Sequence, residues 1–392
     1  DYFWAGKMLN ISMVIVILVF SYFKKFYFRE TVLLFAGKTL FYVLNLVISE
    51  GPFIFLLYFL IYLFHERFQE KINPRKFIIL AALLLVLLIT VRYSGIYIYL
   101  GVGIFFLMMI LKNKENPLRK DLFLTLLFSG IGIGCYLGFN SYIYGSFAGE
   151  NLRGAPAHYY AVYILRDLLG FSNVIDPFIG IKPSSNSVLS ISFQIGLMVF
   201  DLILLRYFIK LFKGKKDSLN VEFHYLLWIV AGVHAFAVLI SGYFQQIEEM
   251  NVRMLAASNF ILFFSFLIIY FKNLKSDKFI FQLGCFFLIF LTLYSLKMPV
   301  NYFNNRNKIE SQMSSFTGKK YLFNDEKEGE GLLTTYEIPI LKKSFQYKHT
   351  NNQRGEIKQA IAGTINPKIK WLKYDTIKNK SLVLYTSQLI LK

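Results

Sequence analysis

The chain is poor in the residues that build small stapled or metal-bound domains. It has two cysteines in 392 residues and five histidines. Cys135 and Cys285 both lie inside apolar runs, which argues against a disulfide framework or a cysteine metal site. Charge is scarce at 17% of residues, and acidic charge scarcer still, with 24 Asp and Glu against 43 Lys and Arg. No internal repeat and no low-complexity tract is present. No Gly-rich nucleotide loop follows a strand: Gly130, Gly132, Gly134 and Gly138 fall inside one apolar run, where small-residue spacing suits close helix packing. What the chain has is apolar surface. It is 55% hydrophobic and 18% aromatic, with a mean hydropathy of +0.47, which excludes an ordinary soluble domain. The 42 Phe and 26 Tyr, beside abundant Lys, Ile and Asn, fit AT-rich coding as well as they fit a ligand, so they are no signature by themselves. The net charge of +19 has a topological explanation and implies no nucleic-acid partner.

That explanation lies in the spacing of charge. Lys and Arg clusters fall on every second loop: Lys24-Lys25 with Arg29, Arg67 to Lys76, Lys112 to Lys120, Lys210 to Lys216, and Lys272 to Lys278. The intervening loops hold isolated Glu50, Arg92, Glu150 with Arg153, and Glu248-Glu249 with Arg253. This is the positive-inside pattern of a multi-pass membrane protein. Spans of roughly 17–25 apolar residues are required. They are expected at Met8–Phe23, Thr31–Ser49, Gly51–Phe64, Phe77–Val91, Gly95–Leu111, Leu122–Tyr144, Val188–Phe212, Phe223–Tyr243, Met254–Phe271 and Phe279–Leu296, about ten in all. The basic loops are then inside, residue 1 and everything after Leu296 outside. Residues 1–296 form the membrane domain and 297–392 an extracytoplasmic C-terminal domain. Gly318, Gly329, Gly331, Pro339 and Pro367 punctuate that tail, and runs such as Lys320–Asn324 and Leu382–Ser387 suggest strands in a small α/β fold. The long outer segment 145–187 carries apolar residues at helical spacing from Ala157 to Leu169, which predicts an amphipathic helix on the membrane surface. The first residues read as the middle of something longer, so the sequence is expected to be N-terminally incomplete.

The lone charges on the non-basic side are the candidate functional groups, each with a plainer alternative. Glu50, ahead of Gly51-Pro52, could bind a metal or a sugar hydroxyl, or simply favour the start of the next helix. Arg92, in the minimal turn Arg92-Tyr93-Ser94-Gly95, could pair phosphate oxygens bidentately or snorkel to the headgroups. Arg153 lies in a glycine-bearing loop opened by Tyr144-Gly145-Ser146, and Arg253 follows Glu248-Glu249, a pair able to bind a cation or an amino sugar. His158 is a lone histidine, structural or catalytic. Lys38, Asp201 and His234 are the ionisable groups inside spans.

Four of these spots, in this order, resemble the GT-C superfamily of membrane glycosyltransferases, nearest the bacterial branch similar to protein O-mannosyltransferases and the lipid A aminoarabinose transferase. Ser49-Glu50 looks like its Ser-Glu at the head of a span, and Arg92-Tyr93-Ser94-Gly95 like its Arg-Tyr-x-Gly turn. Tyr144-Gly145-Ser146, Gly149 and Arg153 resemble its Tyr-Gly-Ser…Gly…Arg loop, with two extra residues before the Arg. Arg253-Met254-Leu255-Ala256-Ala257 resembles its Arg-(Leu/Met)-Leu-x-Pro, with Ala257 in place of Pro. The family's acidic residue in a first large outer loop has no counterpart. Asp1 is the candidate remnant, and the catalytic base is expected upstream of this chain. The resemblance implies transfer of a sugar from a polyprenyl-phosphate donor to an acceptor glycan, lipid or protein. The reaction would take place on the outer face of a bacterial cytoplasmic membrane. Arg92, Arg153, Arg253, Glu50, Tyr93 and His158 would be substrate and phosphate contacts, and a divalent cation could sit at Glu50. A polysaccharide ligase or polymerase of the O-antigen type, which would make His158 catalytic, and a lipid-linked-sugar flippase or transporter without chemistry remain the alternatives.

Overall fold

A computed structural model describes residues 2–45, 49–112, 118–148, 161–176, 188–244, 251–273 and 277–297, together with five short strands further on. Two units are present, Asp1–Thr292 and Leu293–Lys392. The described part of the first is entirely helical: α1 (Tyr2–Lys24), α2 (Phe28–Phe35), α3 (Lys38–Asn45), α4 (Glu50–Phe68), α5 (Pro74–Val91), α6 (Gly95–Lys112), α7 (Leu118–Tyr144), α8 (Ala161–Ile175), α9 (Val188–Gly214), α10 (Val221–Phe244) and α11 (Ala256–Asn273). The last helix, α12 (Lys278–Lys297), crosses the unit boundary. Among the described residues, eight helices (α1, α4, α5, α6, α7, α9, α10 and α11) are long and apolar enough to cross a membrane. This is a multi-pass membrane protein.

The two remaining expected spans differ from the prediction. The run Thr31–Ser49 is not one helix. It breaks at Ala36-Gly37 into α2 and α3, eight residues each. A 3₁₀-type bond from the Gly37 N–H to the Leu34 carbonyl (3.1 Å) tightens the end of α2. A Cβ at Gly37 would stand 3.0 Å from both that carbonyl oxygen and the Phe263 ring, so the joint is packed closely against α11. The last apolar run, in α12, is shorter, at Lys278–Leu293.

Local signals set the helix starts. Asn73 accepts from the Arg75 N–H at 2.9 Å with Pro74 at the first helical position of α5. Asn220 accepts from the Phe223 N–H at 3.1 Å at the head of α10. Gly145, at φ 68°, ends α7. Helices α4, α10 and α11 form the buried centre, with Tyr58, Phe223, Phe260 and Phe264 fully enclosed. At Gly101 a Cβ would come within 2.7 Å of the Val230 Cα, so the absence of a side chain lets α6 and α10 touch through their backbones.

The glycine stripe of α7 behaves otherwise than its spacing suggests. A Cβ at Gly130 would meet the Tyr99 hydroxyl and one at Gly132 the Val86 side chain, whereas Gly134 and Gly138 face no described atom within 4 Å. The helix packs on α5 and α6 through a face that takes in Gly130 and Gly132, so the small-residue spacing at 134 and 138 is not an interface here.

Helix α8 also departs from the surface helix expected over Ala157–Leu169. It continues to Ile175, and its second half is buried. Phe171 and Val174 pack with Ala235, Val238 and Leu239 of α10, and the Asn173 amide donates to the Gln194 carbonyl of α9 at 3.3 Å. The apolar residues after Leu169 explain this: they extend the stripe past the point where a surface helix would stop.

In the second unit β1 (Lys320–Asn324) and β2 (Leu332–Ile338) flank β3 (Lys343–His349), parallel and antiparallel respectively, and β4 (Tyr374–Thr376) pairs with β5 (Leu382–Leu384). No helix is described among residues 298–392, so the expected α/β architecture of the tail finds no support.

Candidate functional site

Among the described residues, helix ends that carry the basic clusters alternate along the chain with those that carry Glu50, Arg92 and Arg253, so the bundle has a basic end and a Glu50 end. At the latter, three chain segments converge. Helix α4 begins with Ser49 and Glu50, the tight α5–α6 turn carries Arg92, and the turn before α11 carries Arg253. The Glu50 carboxylate is ion-paired to Arg92, and its Oε1 lies 3.2 Å from the Arg253 Nε. The Arg92 Nη1 donates to the Ser49 hydroxyl at 3.1 Å. Glu50 is only 4% exposed, while the side chains of Arg92 and Arg253 are 23% and 29% exposed. The carboxylate is thus the floor of the cluster and the guanidinium groups its rim.

Each member is held by its backbone. Arg92 caps α5 in an extended conformation, with its N–H bonded to the Leu88 carbonyl at 3.0 Å. The following turn closes through Gly95 N–H to Arg92 carbonyl at 2.8 Å. A Cβ on Gly95 would lie 2.6 Å from the backbone carbonyl group of Leu88, so only glycine fits the return of the chain against α5. Arg253 sits in a turn built on Asn251, whose side chain accepts from the Met254 N–H at 3.1 Å. Glu50 sits beside Gly51, where a Cβ would fall 2.5 Å from the Asn10 Oδ1 of α1. Asn10 in turn donates to the Leu44 carbonyl of α3 at 2.8 Å. The carboxylate thus contacts the α5–α6 turn and the turn before α11, while its neighbour Gly51 packs closely against α1.

Near this cluster lie further polar side chains, buried or half-buried except Tyr93. His234 of α10 shares a 2.8 Å hydrogen bond with Ser258 of α11 and packs against Phe53 and Tyr97. The Tyr97 hydroxyl pairs with Ser241, which donates to the Ala237 carbonyl at 2.7 Å. Tyr93 is turned to α7, where its hydroxyl accepts from the Asn140 amide at 3.2 Å. Sequence reasoning missed Asn10, Asn251 and Ser258. Each is a single uncharged residue whose role depends on which helix lies opposite, and spacing along one chain carries no such signal.

Of the predicted residues, Glu50, Arg92 and Arg253 are brought together, and Tyr93 adjoins Arg92 but engages α7. Arg153, His158, Asp1 and the Glu248-Glu249 pair lie outside the described residues. Among the described residues no three His, Cys, Asp or Glu gather into a metal-binding group. The Glu50 carboxylate, suggested as a metal ligand, is ion-paired to Arg92 and close to Arg253.

Among the described residues, the cluster sets one carboxylate between two guanidinium groups. The guanidinium groups keep a solvent-facing side while the acid holds their orientation. Chemically such an arrangement can receive an oxyanion, because Arg presents its N–H groups in a fork that matches phosphate. Comparison of the chain with protein-family models, with curated proteins and with solved structures returned no match.

Proposed function

We propose that the chain is a membrane glycosyltransferase that moves a sugar from a polyprenyl-phosphate donor to an acceptor glycan, lipid or protein. The observation that carries this reading is the convergence of Glu50, Arg92 and Arg253 from three distant segments at the end of the bundle poor in basic loops. On this reading that end faces the extracytoplasmic side of a bacterial cytoplasmic membrane. The lipid phosphate is the leaving group. Negative charge builds on it as the sugar–oxygen bond breaks, and fixed guanidinium groups stabilise that charge as it forms. Arg92 and Arg253 serve here, joined by Arg153. Glu50 sets their geometry, and Tyr93 and His158 are further substrate contacts. A carboxylate base takes the proton of the acceptor hydroxyl, supplied by a residue outside the described set.

The test uses membranes containing the full chain, supplied with a radiolabelled polyprenyl-phosphate sugar. Arg92→Ala and Arg253→Ala should each reduce transfer at least 100-fold, and Arg92→Lys should restore only a small part, because an ammonium lacks the fork. Transfer at the unaltered rate in both alanine variants would end the proposal.

A further inference from the structure

His234 is enclosed in the bundle at 1% exposure, on α10, a helix that carries no member of the Glu50 cluster. Three contacts nevertheless join it to the three elements that do. Its ring packs on Phe53, three residues after Glu50, at 6.5 Å between centroids. It meets Tyr97, five residues after Arg92, edge to face at 6.1 Å. Its Nδ1 shares a 2.8 Å hydrogen bond with the hydroxyl of Ser258, five residues after Arg253. Phe53 and Ser258 are themselves buried. The α6 side has a second anchor, because Gly101 lies against the backbone of Val230 on α10. The α11 side has less. Among the described residues, the next side-chain hydrogen bonds between α10 and α11 are those of His224 and Trp228 to Ser265, seven residues further from Arg253.

Arg92 and Arg253 enter the cluster from separate turns, on long side chains about a quarter exposed. Their heads are only as well placed as the backbones that carry them, and a group that stabilises developing charge must be placed to within a fraction of an ångström. An imidazole suits the task of holding those backbones. It is a stiff plane that packs on aromatic neighbours, with a polar atom at its edge for a buried hydroxyl. A phenyl ring in its place would keep the packing and take the His234 bond from Ser258. An asparagine would keep a polar atom near the place of Nδ1 and lose the ring.

We propose that His234 is a positioning residue of this site: through Ser258 it holds the head of α11, and with it Arg253, in register with Glu50. Its consequence for transfer rests on the function proposed above; its consequence for the geometry does not. The full chain is unfolded reversibly in mixed micelles, and the Glu50–Arg253 coupling is read from the Glu50→Gln, Arg253→Gln cycle in the parent and in His234 variants. The parent coupling should be about fivefold or more in the unfolding constant. His234→Phe should bring it within about twofold of additivity, and His234→Asn, which keeps an edge atom for Ser258, should restore most of it. The Glu50–Arg92 coupling should stay within about twofold in both backgrounds. A histidine that merely adds stability would leave both couplings intact. Ser258→Ala breaks the same bond and decides the matter if His234→Phe fails to fold. In the transfer assay, His234→Phe should lower kcat about tenfold or more with KM within about threefold, and Arg253→Ala should cost less than about tenfold in that background. A Glu50–Arg253 coupling absent from the parent, or preserved in His234→Phe and Ser258→Ala, would overturn the proposal, as would equal loss of the Glu50–Arg92 coupling. Transfer at the parent rate in Arg92→Ala and Arg253→Ala would instead remove the transferase reading, and the coupling cycles alone would then decide the role of His234.

Discussion

Replacing Glu50 by Gln keeps the shape of the cluster and removes the charge that joins its two arginines. At an effective dielectric near 20, each guanidinium–carboxylate contact at about 4 Å is worth roughly 4 kcal/mol of Coulomb energy, and two guanidinium groups about 6 Å apart repel by roughly 3 kcal/mol. The side chains of Arg92 and Arg253 are about a quarter exposed, so both can relax toward water and much of this is recovered. Removing one partner from a buried pair usually costs about 3–5 kcal/mol. With that relaxation, Glu50→Gln should destabilise the protein by about 2–4 kcal/mol. The distinguishing feature is the double variant. Glu50→Gln with Arg92→Gln loses the Glu50–Arg92 attraction once, whereas each single variant loses it separately, so the double should be more stable than the sum of its parts by about 1–3 kcal/mol. The assay is reversible unfolding in mixed micelles by added denaturing detergent, followed by tryptophan fluorescence, for the parent, both single variants and the double. Additivity within about 0.5 kcal/mol would show that Glu50 does not tie the two segments together, and the reasoning about a preorganised cluster would fail with it.

Other consequences are open to measurement. Gly95→Ala places a Cβ against the Leu88 backbone, which cannot move aside like a flexible side chain. It should cost at least about 2 kcal/mol in the same assay, within the range of strain at a special backbone position, whereas Gly134→Ala on α7 should be neutral. The Arg67–Asp121 pair joins α4 to α7 at the basic end, at 2.7 Å with both side chains 8% exposed. Arg67→Met should therefore lose about 3–5 kcal/mol, and Arg67→Met with Asp121→Leu should regain most of it. Single cysteines placed at Lys71 and Lys215 should react with an impermeant maleimide from one side of sealed vesicles, and one at Asn251 only from the other. Labelling of all three from one side would refute the alternation of loops.

The eight long crossings were legible because a run of apolar residues flanked by charge has few physical alternatives. The convergence of Glu50, Arg92 and Arg253 was legible in part. Charge bias put all three on one side of the membrane, although nothing in the sequence showed that they touch. The break in Thr31–Ser49 was harder to see. Its only signals are Ala36-Gly37-Lys38, and a lone glycine in an apolar run is compatible with an intact helix. The burial of α8 escaped for a different reason. A helix with one apolar stripe looks the same whether it meets lipid or another helix, and Asn173, whose side-chain amide donates to a carbonyl of α9, is the one polar mark of the difference among the described contacts.

The joint between α2 and α3 has a mechanical consequence. A continuous helix is a lever, and a tilt imposed at one membrane surface reappears at the other. Here the two halves are moored separately. Thr31 of α2 sits among Ser21 and Tyr58 toward the basic end, while the Leu44 carbonyl of α3 is tied to Asn10 beside Gly51. Bending at Ala36-Gly37 absorbs movement between them. A push on the basic-end loops should therefore reach the carboxylate weakened, because α3 is tied to α1 at that end and not to α2 by a continuous helix.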